Sequence, residues 1–346
     1  MKTLIKNGLL IDPANQVQAY LNLILEDGKV VAVTEEEPEA DRVIDATGKV
    51  VAPGFIDIHM HEDPVKDGKI EFCIFDAMLR MGVTTAVGGN CGINVYDPVK
   101  YLDMVEKDGA PVNVMLFAGH QYFREAAGAL DKYAPVTKEQ QEHMKKGLEK
   151  ALEAGCVGIS YGLRYVPGTG RDEFLDTASC CEKEHRMISA HVRDDEDRVF
   201  GAVAEVAEAG KLYNIPVQVS HIGSMAGFGQ MKQLLRQVDG YRMNGIDVAC
   251  DCYPYFAFST RIGATTYDDG WLERYHCDYS ACQLTEGKYK GQRCTPETFA
   301  EMRRDFPECL TVCYVMDEND IRMAFADPGV MVGSDGLIDN GHGHPR

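Results

Sequence analysis

Eight short apolar runs, most of them separated by stretches with helical periodicity, constrain this chain more than any other feature. They are VVAPGFIDIHMH (50–61), VTTAVGGNC (83–91), VNVMLFAGH (112–120), CVGISYGL (156–163), MISAHVR (187–193), PVQVSHIG (216–223), IDVACDCY (246–253) and GVMVGSDG (329–336). Apolar β runs alternating with helices are the signature of βαβ units and a parallel sheet. Eight of them in 346 residues predict one (β/α)₈ barrel of the TIM-like kind with a small accessory module.

The helical stretches carry their own signals. Thr137-Lys-Glu-Gln140 is a capping box, and Met144, Leu148, Ala151 and Leu152 follow it on one face. Val199, Ala202, Val203 and Val206 form a second stripe, and Asp97-Pro98 is a helix start. Residues 1–50 lack this rhythm and predict short strands, with a hairpin turn at Asp27-Gly28, as a small β-sandwich segment. The barrel is then expected over 51–346. Residues 254–328 separate the seventh and eighth runs, and so long a connection predicts a lid or substrate-binding insertion.

Charge and cysteine usage narrow the class. A net charge of −19 argues against a nucleic-acid surface, which needs clustered Lys and Arg. No stretch approaches the length of a membrane span, and Lys6, Asn7 and Gly8 interrupt any signal-peptide core. Several of the twelve cysteines sit inside apolar runs, as Cys156 and Cys250 do, where free buried thiols are common. Cys277, Cys282, Cys294, Cys309 and Cys313 in the insertion lack zinc-ribbon spacing and are expected as incidental thiols. A reducing cytoplasm is the expected compartment.

Barrel active sites form at the C-terminal ends of the strands. The first run ends in His59-Met60-His61, the second in Cys91, the fifth in His191, the sixth in His221 and the eighth in Asp335. Strand alternation points His59 and His61 the same way. A single strand-end histidine is usually a hydrogen-bonded structural residue. Five strand ends bearing imidazole, thiolate or carboxylate in one ring predict a metal site, and these are the standard donors to zinc.

These motifs resemble a known family. VVAPGFIDIHMH resembles the first barrel strand of the amidohydrolase superfamily. GGNCG (88–92), GLRYVPG (162–168), SAHVRDD (189–195), SHIG (220–223), DCYPY (251–255), GSDG (333–336) and the terminal HPR together resemble the D-aminoacylase (N-acyl-D-amino-acid deacylase) family, in that family's order. The resemblance implies that Cys91, His191 and His221 hold a tightly bound zinc ion. It implies that His59, His61, Cys91 and Asp335 frame a second, weaker metal position, bridged by Cys91. It also implies Asp335 as general base and then general acid. Tyr253 and Arg346 would grip the substrate carboxylate with Ser259 or Thr260, and Tyr165 would line the same pocket. Zinc would activate the attacking water and the scissile carbonyl. The substrate would be a small anionic N-acyl-D-amino acid, cleaved to a carboxylate and a free D-amino acid.

The alternative is a cyclic amidase of hydantoinase or dihydroorotase type. Those enzymes bridge two metals with a carboxylated lysine on the fourth strand, and the run from Cys156 to Leu163 contains no lysine. A non-catalytic barrel scaffold is the third reading, disfavoured because all six ligand positions are filled. Three departures from the family pattern stand out. Gly223 takes the place of a lysine two residues after the sixth-strand histidine, and Asp195 takes the place of a glutamate. In the family a helix and the rest of the β-sandwich follow HPR, so the resemblance implies a fragment whose residues 1–50 lack partner strands.

Overall fold

Every apolar run contributes a strand to one eight-stranded sheet in the computed structural model, which describes residues 1–339, 342 and 343. The strands are Phe55–Asp57, Val83–Gly88, Asn113–Gly119, Gly158–Gly162, Met187–His191, Val217–Val219, Val248–Cys252 and Val330–Val332. They lie side by side in sequence order. The pairs from the second strand to the eighth are parallel, in registers such as Ile159 opposite Ile188 and Val217 opposite Val248. Beyond the strand ends the ring closes: His61 N–H donates to Gly336 O at 2.8 Å and Asp335 N–H to His59 O at 2.7 Å. Ile159, Ile188, Ala190, Val219 and Cys250 are wholly buried in the core.

The helices follow the sequence signals. Lys138–Glu153 is capped by Thr137 and Gln140 in a reciprocal box, and it buries Met144, Leu148, Ala151 and Leu152. Removing such a cap costs about 1 kcal/mol. Pro98–Asp108 starts where Asp97 accepts from Lys100 N–H at 3.0 Å. Val199–Tyr213 buries Val199, Ala202, Val203 and Val206. No helix among the described residues is long and apolar enough to cross a membrane.

Residues 254–328 hold a three-stranded antiparallel sheet in the order Phe258–Arg261, Leu310–Cys313, Cys282–Leu284. Helix Pro296–Asp305 accompanies it, with Phe299 stacked on Trp271 at 5.2 Å. Helix Glu318–Ala326 closes this stretch and packs against the seventh and eighth barrel strands, in the place of an ordinary barrel helix. All twelve cysteines are free thiols.

The described residues form two compact units, Met1–Phe55 and a second that begins at Ile56. The first holds two small sheets, of four and three strands. Its hairpin joins Asn22–Glu26 to Lys29–Thr34 through Asp27 (φ 49°) and Gly28 (φ 76°), both left-handed. Two consecutive positive φ values give the turn the twist that antiparallel strands need.

Candidate metal centre and active site

Three of the six candidate ligands have left-handed backbones: Cys91 at φ 55°, His221 at φ 34° and Asp335 at φ 47°. Such conformations cost a non-glycine residue about 1–3 kcal/mol and persist only where the surroundings enforce them. Here buried polar side chains enforce them. Glu62 accepts from Gly89 N–H at 2.7 Å and Val95 N–H at 3.1 Å, bracketing the Cys91 turn. Ser160 Oγ accepts from Gly92 N–H at 2.9 Å. A side chain at Gly92 (φ 78°) would press its Cβ to 2.8 Å from Gly162 N. Asp251 accepts from His221 N–H at 2.8 Å. Asp57 accepts from His59 N–H at 3.2 Å and Ser334 N–H at 3.0 Å.

The result is two groups of donors that share Cys91. Cys91, His191 and His221 form one, and His59, His61, Cys91 and Asp335 the other, with the ligand atoms of each within 4.8 Å of one another. Cys91 Sγ lies 3.5 Å from both His59 Nε2 and His221 Nε2. Asp335 Oδ1 lies 3.4 Å from His59 Nε2 and from His61 Nε2.

The electrostatics favour the metal-binding forms at Cys91 and His191 and oppose them at His59 and His61. Burial opposes ionisation of Cys91, yet the charges of His59 and His221 and hydrogen bonds from His191 and His221 hold its thiol well below the ordinary value. Burial, with His221 adding to it, pushes His191 down and keeps its imidazole neutral. His61 runs the other way: burial lowers its pKa, but hydrogen bonds to Asp335 and Cys91 outweigh this and raise it to about 9. Proton-sharing of this kind is what a bound cation displaces, since thiolate, neutral imidazole and carboxylate are the binding forms. His191 Nδ1 is buried without a hydrogen-bond partner among the described residues. An orphaned imidazole nitrogen beside a thiolate fits a zinc ion better than it fits a dry core.

The predicted substrate contacts lie around these donors. Tyr165 packs on His191 with ring centroids 4.4 Å apart, and Tyr253 faces His221 at 6.5 Å. Tyr165, Ser259, Thr260 and Asp335 line both a cavity of about 440 Å³ and a smaller chamber of about 30 Å³, and Tyr253 lines the smaller one. Ser259 Oγ is buried with no hydrogen-bond partner among the described residues, which leaves it free for a ligand. Arg346 lies outside the described residues.

Both departures on the described chain have physical explanations. A Cβ on Gly223 would come within 2.8 Å of Ile321 Cδ1 and 3.0 Å of Cys252 Sγ, so packing occupies the space a side chain would need. Asp195 accepts from Tyr275 Oη at 2.5 Å and faces Arg274 Nε at 3.2 Å, both from the insertion.

Sequence reasoning missed the supporting polar residues. Asp251 faces His59 Nδ1 at 3.1 Å, and Ser224 Oγ sits 3.0 Å from His221 Nδ1. The one available signal was a carboxylate inside the apolar seventh run, where an unpaired charge would be costly.

The chain is similar to known amidohydrolases. The model of the amidohydrolase family matches residues 42–162. N-acyl-D-glutamate deacylase of Alcaligenes xylosoxydans xylosoxydans is 30% identical over 99% of this chain and 75% of its own length. D-aminoacylase of the same organism is 27% identical over 99% and 76%. The crystal structure of N-acyl-D-glutamate deacylase from Bordetella bronchiseptica, complexed with zinc and a phosphonate mimic of the tetrahedral intermediate, superposes with a TM-score of 0.85. It is 29% identical and covers 99% of this chain and 77% of that one.

Proposed function

From the premise that the chain belongs to the N-acyl-D-amino-acid deacylase family of the amidohydrolases, we propose that it hydrolyses the amide bond of N-acyl-D-amino acids to a carboxylate and a free D-amino acid. One observation carries the reading at the site: two donor groups meet at Cys91, and Asp335 belongs to the second of them. Zinc bound there supplies a Lewis acid for the scissile carbonyl and lowers the pKa of the attacking water toward neutrality.

The residues of the chain do the rest. Cys91, His191 and His221 would hold the first ion, and His59, His61, Cys91 and Asp335 would frame a second, weaker position. Asp335 takes a proton from water during attack and returns it to the departing amine. Tyr253 and Ser259 face the smaller chamber and hold the α-carboxylate. The cyclic-amidase reading is disfavoured because the fourth strand, Gly158–Gly162, has no lysine to bridge two metals.

A panel of N-acetyl-D-amino acids, their L-enantiomers, hydantoin and dihydroorotate tests the substrate class on zinc-loaded protein. Turnover of the D-series is expected, and turnover confined to the cyclic amides would favour the alternative. D335A should abolish turnover and keep its zinc. A D335A protein that loses zinc but retains activity per remaining ion removes Asp335 from the proton-transfer role.

A further inference from the structure

Among the described residues, two cations line the larger cavity besides the ligand histidine, and one of the two has no ion pair. Arg261 forms an ion pair with Glu308, and both line the cavity. Lys132 also lines it. No ion pair joins Lys132 to a carboxylate among the described residues; its ammonium lies over the Tyr133 ring, 5.3 Å from the centroid. In a chain of net charge −19, a cation without an ion pair on the wall of a substrate cavity marks a place where negative charge is received.

The loop bearing Lys132 is fixed in position. Lys132 O accepts from Gly168 N–H at 2.8 Å, and a Cβ at Gly168 would collide with Ala134 O. Tyr133 Oη donates to Asp268 at 2.8 Å, tying the loop to the insertion. Arg124, almost wholly buried, donates to Ala134 O. Glu173 holds Arg124 in turn, lying 3.5 Å from its Nε and 3.0 Å from His120 Nε2. Nothing in the proposed chemistry uses this buried His120–Glu173–Arg124 group, and a fixed Lys132 loop accounts for it. Of the α-carboxylate contacts, Ser259 lines both spaces and Tyr253 lines the smaller chamber, which Lys132 does not.

We propose that Lys132 forms a subsite for a second carboxylate on the substrate, separate from the α-carboxylate contact, so that dianionic N-acyl-D-amino acids are favoured over monoanionic ones. This rests on the deacylase reading. The second carboxylate has two chemical sources: an acidic amino-acid side chain, or an acyl group derived from a dicarboxylic acid.

Two substrate pairs distinguish them: N-acetyl-D-glutamate against N-acetyl-D-glutamine, and N-succinyl-D-leucine against N-butyryl-D-leucine. In at least one pair the dianion should have a kcat/KM about tenfold or more above its neutral-ended partner. K132Q should reduce that ratio about tenfold, mainly through KM, and K132R should restore most of it. Ratios of one or below in both pairs, or a ratio unmoved by K132Q, overturn the proposal. Should zinc-loaded protein turn over none of the four, the deacylase reading fails. The subsite is then judged by calorimetric binding of the same pairs, where equal affinities overturn it and a dianion preference lost in K132Q upholds it.

Discussion

His59 Nδ1 faces an oxygen of Asp251 at 3.1 Å across 192 positions of sequence, and neither side chain is more than 1% exposed. That contact fixes the imidazole so that its other nitrogen, Nε2, points at Cys91 and Asp335. Carboxylates behind metal-binding histidines orient the ring and raise its basicity, and losing one typically costs about 10–100-fold in metal affinity or activity. D251N should therefore weaken retention of metal by about that factor, read by competition with a chromogenic chelator. Unchanged retention would show that His59 is oriented without the charge.

Metal removal should change the reactivity of one particular thiol. Cys73 is the exposed cysteine, whereas Cys91 lines the large cavity and its thiol is held low against the effect of burial. Burial pushes Cys156, Cys250 and Cys252 up to about 12, so they stay protonated and unreactive at neutral pH. Brief iodoacetamide treatment at pH 7 should add one label to zinc-loaded protein, at Cys73, and two to chelator-stripped protein, at Cys73 and Cys91. Mass spectrometry of the peptides counts them. Equal labelling of Cys91 in both states would argue against its being a ligand.

How far the sequence discloses this molecule depends on the range of the interactions involved. The eight strands and the Thr137 box are legible because apolar runs and capping residues act within a few positions. The HxH spacing and the other strand-end residues point to one centre because a barrel brings its strand ends together. Asp251 is not legible in that way: its partners His59 and His221 are 192 and 30 positions away, and no local pattern marks which carboxylate turns inward. The left-handed backbones of Cys91, His221 and Asp335 are equally hidden. Only the glycines flanking Cys91 hint at a tight turn. The three-stranded sheet within 254–328 is not legible because its strands Phe258–Arg261 and Cys282–Leu284 mix polar and apolar residues and no βα alternation marks them.

Restoring a side chain at Gly223 should damage the fold before it can help the site. A Cβ there meets Ile321 Cδ1 at 2.8 Å and Cys252 Sγ at 3.0 Å, against wholly buried packing on both sides. Overpacking of this kind costs about 1–3 kcal/mol. G223A should lower the denaturation midpoint accordingly, and I321V in the same chain should recover part of the loss, because it removes the methyl in closest contact. An additive double mutant, with no recovery, would place the strain elsewhere.

The insertion is latched onto the loop after His191, and the latch can be weakened without touching a ligand. Tyr275 Oη donates to Asp195 at 2.5 Å while Arg274 Nε faces the other carboxylate oxygen at 3.2 Å. Asp195 is almost wholly buried and also lines the smaller chamber. Y275F keeps the ring and its stacking on Phe228 at 5.2 Å but leaves a buried carboxylate short of one donor. Hydrogen bonds to charged groups contribute about 1.5–3 kcal/mol. If the insertion unfolds with the barrel, Y275F shows that loss in global denaturation. If the latch opens locally, the loss appears instead as faster amide exchange confined to the insertion and residues 193–198, with the global midpoint nearly unchanged. Zinc content should hold in either case, because His191 precedes the latch on its own strand, Met187–His191. A Y275F protein with wild-type exchange and stability would mean that Arg274 alone secures Asp195.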